Sequence, residues 1–251
     1  MTQDFPAGNY RFIPAVFQYS SGAMAEPGFE IERVRFDRLP PLAEGFALAA
    51  KYMTGAGRPL TSFCACELRS PAAFTEDGFR AFNQHYVKTL AEWGLFDGAV
   101  NPVARSNVCP EIDPPAEPTF YAFSFTRPGA KTATGATPAF VIAGGAEARG
   151  GAGSYPERIV RYRDLSADGL KEKVKFTVGE MERRLAAFGA HWNDTTAAQA
   201  YSIRDFYPVM TEELVRRGAV RSGLTWHFAR PPVIDLEFEM DCRRVTRETV
   251  I

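Results

Sequence analysis

Four short segments of this 251-residue chain each recur once, in the same order, and that ordered recurrence limits the fold more than any single motif. Phe17-Gln18-Tyr19-Ser20-Ser21-Gly22 resembles Phe140-Val141-Ile142-Ala143-Gly144-Gly145. Arg35-Phe36-Asp37-Arg38-Leu39-Pro40 resembles Arg161-Tyr162-Arg163-Asp164-Leu165-Ser166, and Ala65-Cys66-Glu67-Leu68-Arg69 resembles Ala200-Tyr201-Ser202-Ile203-Arg204. Pro114-Pro115 and Pro231-Pro232 each precede a strand-like run. Separations that drift slowly along the chain are what loop insertions in a duplicated unit produce. The expectation is two units, residues 1–128 and 129–251, joined through the small, polar stretch from Arg127 to Pro138.

Hydrophobic periodicity gives both halves the same ingredients. Leu170, Val174, Val178, Met181, Leu185 and Phe188 recur at steps of four and three, which is one apolar helix face, and Gly189 follows as a stop. Leu42, Phe46, Ala49, Ala50 and Met53 form the first-half counterpart, ended by Gly55 and Gly57. Phe79, Phe82, Tyr86 and Leu90, and again Phe206, Val209, Met210 and Leu214, mark a second helix in each half. Strands are expected at 29–36 and 62–68. Each half should close on another, at 119–125 with Tyr121, Phe123 and Phe125 on one face, and at 234–240 with the acids opposite the apolar residues. The fold class is therefore α+β, with a mixed sheet in each unit covered on one face by two helices.

Apolar residues make up 45% of the chain and charged ones 24%, enough to build a core without disulfide or metal. A net charge of −1 with no basic stripe argues against a nucleic-acid partner. No apolar run is long enough to span a membrane, and the start lacks a basic leader, so a cytoplasmic location is expected. Cys64 and Cys66, one residue apart in a strand, should share a face, and all four cysteines are expected to be reduced. Gly150-Gly151-Ala152-Gly153 lacks the strand-to-helix setting and the Lys of a phosphate loop. His85, His191 and His227 show neither metal spacing nor triad order.

The sharpest local pattern is Phe82-Asn83-Gln84-His85-Tyr86 followed by Pro102-Val103-Ala104-Arg105-Ser106-Asn107-Val108. With the order strand, strand, helix, strand, helix, strand, it resembles the RidA (YjgF) family once per half, more closely in the first. The resemblance implies a chorismate mutase-like fold, homotrimers with clefts between units, and hydrolysis of enamines or imines to keto compounds and ammonia. It implies that Arg105 holds a substrate carboxylate and that Asn83 and Asn107 stand beside it, Asn107 replacing a family cysteine. It places glycine turns at Gly22 and Gly145. The family's last-strand glutamate falls on Phe120 in the first half and on Glu237 in the second, where the arginine position falls on Ser222. Neither half holds the whole set. Tandem or RidA-like relatives include deaminases of 2-aminomuconate-type acids and the chorismatases.

Those residue types fit the chemistry. An arginine fork grips a carboxylate, and a partly buried glutamate can carry a proton. No metal or organic cofactor is needed. Trp226, in Trp226-His227-Phe228, could line the cleft for a flat conjugated substrate. The expected activity is hydrolytic deamination of a small enamine or imine carboxylic acid by Arg105 and Glu237. The alternatives are a non-catalytic small-acid binding protein, which the broken residue set favours, and a chorismatase-like lyase.

Overall fold

The computed structural model describes residues 1–129 and 136–251; the middle of the stretch read as a linker lies outside them. Two mixed sheets pack against each other, with helices on their outer faces. One sheet has the order β11-β6-β5-β7-β4-β13. Its strands are β4 (Phe29–Arg35), β5 (Phe63–Arg69), β6 (Ala104–Pro110), β7 (Thr119–Pro128), β11 (Ala229–Arg230) and β13 (Arg247–Val250). The other has the order β1-β2-β3-β8-β12-β9-β10. It is built from β1 (Gln3–Phe5), β2 (Tyr10–Ile13), β3 (Gly22–Ala25), β8 (Phe140–Ala146), β9 (Ala197–Tyr201), β10 (Leu224–His227) and β12 (Glu239–Arg244).

Each sheet contains a four-strand core of the same design. β4-β7-β5-β6 and β8-β12-β9-β10 share strand order, and β5/β6 and β9/β10 are the parallel pairs in each. The strands that complete each core cross over. β1 to β3 extend the second-half core, while β11 and the C-terminal β13 extend the first-half one. A boundary at residue 128 thus divides the sequence but not the sheets. It also alters one of the four matches. Phe140–Gly145 falls in β8, whose counterpart by strand order is β4; Phe17–Gly22 leads into β3, which pairs with β8 as a neighbour.

The helices follow their apolar faces. α1 (Leu42–Gly55) and α2 (Glu76–Glu92) bury Phe46, Ala49, Met53, Tyr86 and Leu90 against Phe63, Leu68 and Phe123. After the short α3 (Tyr155–Arg158), α4 (Ala167–Ala187) packs Val174, Val178, Met181 and Leu185 on Phe140, Ile142 and Met240. Thr75 and Ser166 cap α2 and α4 by accepting the Gly78 and Gly169 amides, each at 3.1 Å, and Gly189 ends α4 at φ +70°. The fourth expected helix is reduced to one turn, α5 (Tyr207–Met210), continued by a wide π turn over Thr211–Val215. No helix among the described residues is long and apolar enough to cross a membrane.

Three local readings are corrected. β7 bulges opposite Glu67 and Leu68, so Phe120, rather than Tyr121, enters the core with Phe123 and Phe125. A register shift between Phe63 and Ala65 sends Cys64 among Tyr10 and Ile31 while Cys66 joins the α1/α2 core, so the two do not share a face. The run 234–240 is not one strand. Asp235 takes φ +71°, Ile234 is exposed, and pairing starts only at Glu239.

Candidate active site

A cleft of about 540 Å³, within the range of roughly 300–1,000 Å³ usual for small-molecule sites, opens between the sheets. β6 and α2 form one wall, and β8 and α4 the other. Glu239, the first residue of β12, lies between them, and the 13–21 segment covers one side. That segment is tied down by Ser20, whose amide donates to Val103 O at 2.8 Å and whose hydroxyl donates to Pro102 O at 3.0 Å.

Arg105 is 3% exposed, and its guanidinium carbon stands 4.7 Å from the Tyr86 ring centre, 5.2 Å from Tyr19, 5.6 Å from Phe82 and 5.7 Å from Phe79. The aromatic faces stabilise the cation and fix its plane. Its Nε and Nη1 are buried with no hydrogen-bond partner among the described residues. Asn83 lies on the same face of α2, between the rings that hold Arg105, and both of its side-chain polar atoms are equally without partners. Asn107 lines the cleft, accepting from Ser70 Oγ at 2.9 Å and leaving its Nδ2 unpaired. Buried polar groups are nearly always satisfied, so several unsatisfied groups around one cleft indicate a place made for a polar ligand.

Glu239 brings a buried carboxyl into this cleft. It is 4% exposed and forms no hydrogen bond or ion pair among the described residues. Burial, reinforced by the nearby Asp241 charge, pushes its pKa up to about 8; Arg184 and Arg105 act in the opposite direction. It rests against Gly144, where a Cβ would collide with its Oε1. Gly145 serves the adjacent arginine: a Cβ there would come within 2.9 Å of both terminal nitrogens of Arg184. Ser106 ties the walls together, donating to Asp241 Oδ2 at 2.6 Å and accepting the Gly144 amide at 3.1 Å.

Other residues singled out in the sequence lie elsewhere. Glu237 sits before the strand, with Oε2 2.7 Å from Arg204 Nε, beside a separate surface hollow that includes Arg204, Arg230 and Asp235. Trp226 is on the edge strand β10, stacks edge-on against Phe206 at 4.6 Å and donates to Ser202 O. Gly22 is buried where β3 meets β8, and its neighbour Ser21 reaches the cleft instead. Phe120, at the first-half glutamate position, is fully buried in the core.

A model of the family described as 2-aminomuconate deaminase CnbZ matches residues 2–249. The chain belongs to that family. Among its relatives, the 2-amino-5-chloromuconate deaminase of Comamonas testosteroni is 52% identical over 247 residues, 98% of each chain. Among solved structures, a chorismatase is similar at TM-score 0.49 and 15% identity, over 90% of this chain and 77% of its own. The YjgF gene product of E. coli is similar at TM-score 0.33 and 15% identity, over 43% of this chain and 81% of its own.

For this family member, the sequence reading missed Glu239, Arg184, Tyr19 and the residues that hold Glu239 in place. Glu147 is fully buried, takes the Glu237 and Phe238 amides at 2.6 and 3.1 Å, and pairs with the equally buried Lys173 at 3.3 Å. This clamp fixes the turn that delivers Glu239. Lys173 looks solvated in a helical run, so its position gave no signal. The paired glycines Gly144-Gly145 in the middle of a strand were the available clue, because glycine there marks a close approach of other groups.

Proposed function

We propose that the protein hydrolyses a 2-aminomuconate-type enamine acid to the corresponding oxo acid and ammonia, with Arg105 binding the carboxylate next to the reacting carbon and Glu239 moving the protons. The observation that carries this reading is a single cleft shared by an unpaired buried arginine and a carboxyl that keeps its proton near neutral pH. Family membership over nearly the whole chain supports the substrate class.

The overall change is R–C(NH2)=CH–R′ + H2O → R–CO–CH2–R′ + NH3. The Glu239 carboxyl gives its proton to the enamine carbon, and the nitrogen lone pair closes a C=N bond. The resulting carboxylate then takes a proton from water as the water oxygen attacks the carbon of that C=N bond, next to the carbon just protonated, and the π pair returns to nitrogen. Glu239 passes this proton to nitrogen, the C–N bond breaks to release ammonia, and the hydroxyl proton returns to Glu239 as the C=O bond forms. A single group with a pKa near the working pH suits both directions of transfer. Asn83 and Asn107 hold the Arg105 side of the cleft, and Gly145 leaves room for substrate and Arg184. Glu239 thus takes the role first assigned to Glu237.

We further read the two four-strand cores as a duplicated unit in which one copy supplies Arg105 and the other Glu239. The cleft then draws its two charged groups from both halves of one chain. The direct test is incubation with 2-aminomuconate. One ammonia per substrate consumed is expected; binding without ammonia would support the binding-protein alternative and overturn the enzymatic reading.

A further inference from the structure

Arg184 is the second cation set into the cleft, and it comes from the other sheet's helix layer. Its Nη1 donates to Ala143 O at 2.8 Å and to Gly144 O at 3.2 Å, and its Nε has no partner among the described residues. The nearest acid on its own helix is taken: Glu180 Oε2 lies 2.7 Å from Arg183 Nη2. Arg184 forms no ion pair among the described residues, although the cleft walls surround it and part of its surface stays open to the cleft. Burial accordingly depresses its pKa. Neutral carbonyls fix the guanidinium plane without neutralising it. A cation held this way is short of an anion, since buried charge is costly until paired.

Arg105, held by aromatic rings instead of carbonyls, also has buried nitrogens without a partner among the described residues on the opposite wall, and Glu239 lines the same cleft, acted on by both charges. Arg105 and Arg184, guanidiniums set into opposite walls, suit two separate anionic groups better than one compact polyanion, whose charges would need the cations clustered. We propose that Arg184 forms a second carboxylate subsite, so that the cleft selects a dicarboxylate stretched from Arg105 to Arg184 with its reacting carbons over Glu239. This inference rests on the deaminase reading for its orientation, with the amino-bearing end at Arg105. Gly145 is part of the device, because any side chain there would displace the Arg184 fork. Arg149 and Arg158 extend the positive field toward the rim.

The test uses two ligands with the same conjugated six-carbon chain: trans,trans-muconate, which has two carboxylates, and sorbate, which has one. Calorimetry should show the parent chain binding muconate about 10- to 100-fold more tightly, the value of hydrogen bonds to one charged group. Arg184→Ala should bring muconate down to the sorbate level and leave sorbate unchanged, whereas Arg105→Ala should weaken both. Arg184→Gln retains a donor for Ala143 O and removes the charge, so it gives the same reading on a folded chain even if the alanine variant loosens β8. Equal affinity of the parent for both ligands, or equal weakening of both by Arg184→Gln, would overturn the proposal. Because binding is measured without turnover, loss of the muconate preference and absence of ammonia release are separate failures.

Discussion

Two buried polar regions lie side by side in this molecule and are built in opposite ways. Between the sheets, Glu67 accepts from Arg33 Nε at 2.6 Å, Arg33 Nη2 at 2.9 Å and Gln199 at 3.3 Å. Asp241 accepts from Ser106, Tyr201 and Gln199 at 2.6, 2.8 and 2.9 Å. One fully buried nitrogen each of Arg69 and Arg243 has no partner among the described residues. Burial alone would raise Glu67, yet the Arg33 charge and its hydrogen bonds hold it well below the ordinary carboxylate range. Arg105, Asn107 and Glu239 in the cleft, and Asn83 behind Arg105, are as deeply buried, but most of their polar atoms have no partner among the described residues. Burial by itself therefore does not mark function. The first region satisfies itself and joins the sheets; the second is left open for a ligand.

Substitutions in the two regions should have different consequences. The largest effect is expected at Glu239. Glu239→Gln should lower turnover of 2-aminomuconate by about 10²–10⁴ with muconate binding little changed, as loss of a general acid–base group does. Glu237→Gln, which only loosens the Arg204 pair, should turn over close to the parent rate; the reverse ranking would return the catalytic role to Glu237. Next is Glu67→Ala, which leaves the buried Arg33 with only the part-exposed Glu248, at 3.4 Å, and should cost about 3–5 kcal/mol in a denaturant melt. Arg105→Ala should instead leave the melt nearly unchanged while weakening carboxylate binding by about 2–4 kcal/mol, with Arg105→Lys almost as harmful because a point charge cannot reproduce the fork. A large drop in stability for Arg105→Ala would erase the distinction between the two regions.

The parts of this architecture written in local periodicity were legible in the sequence. The faces of α1, α2 and α4 follow from their apolar spacing, and the Asn83-to-Arg105 pattern led to the cleft. What failed was whatever distant residues decide. Alternation over 234–240 reads as a strand centred on Glu237, but the Glu147 carboxylate, far back in the chain, captures the Glu237 and Phe238 amides and delays pairing until Glu239. Arg184 sits in a charged helical run that looks solvated, and only the packing of α4 on Gly145 turns it inward. Trp226 has the composition of a cleft wall but ends on the far edge strand, a placement that strand order alone determines.

In the proposed reaction Glu239 holds a proton at neutral pH and gives it to the substrate, and the pH dependence of kcat/KM for ammonia release reports that proton. The carboxyl's pKa is raised, so the active, protonated form persists to about pH 8 and is lost as pH rises through that value. The same ionisation lowers stability as pH climbs from the ordinary carboxylate range toward 8, because the folded state binds the proton more tightly than the unfolded chain. Asp241→Asn, which removes the neighbouring negative charge, should move the descending limb to lower pH. A limb near pH 8 in the parent and its displacement in that variant are the expected results. A parent rate that stays level well past that pH, or a limb unmoved by Asp241→Asn, would contradict that role of Glu239.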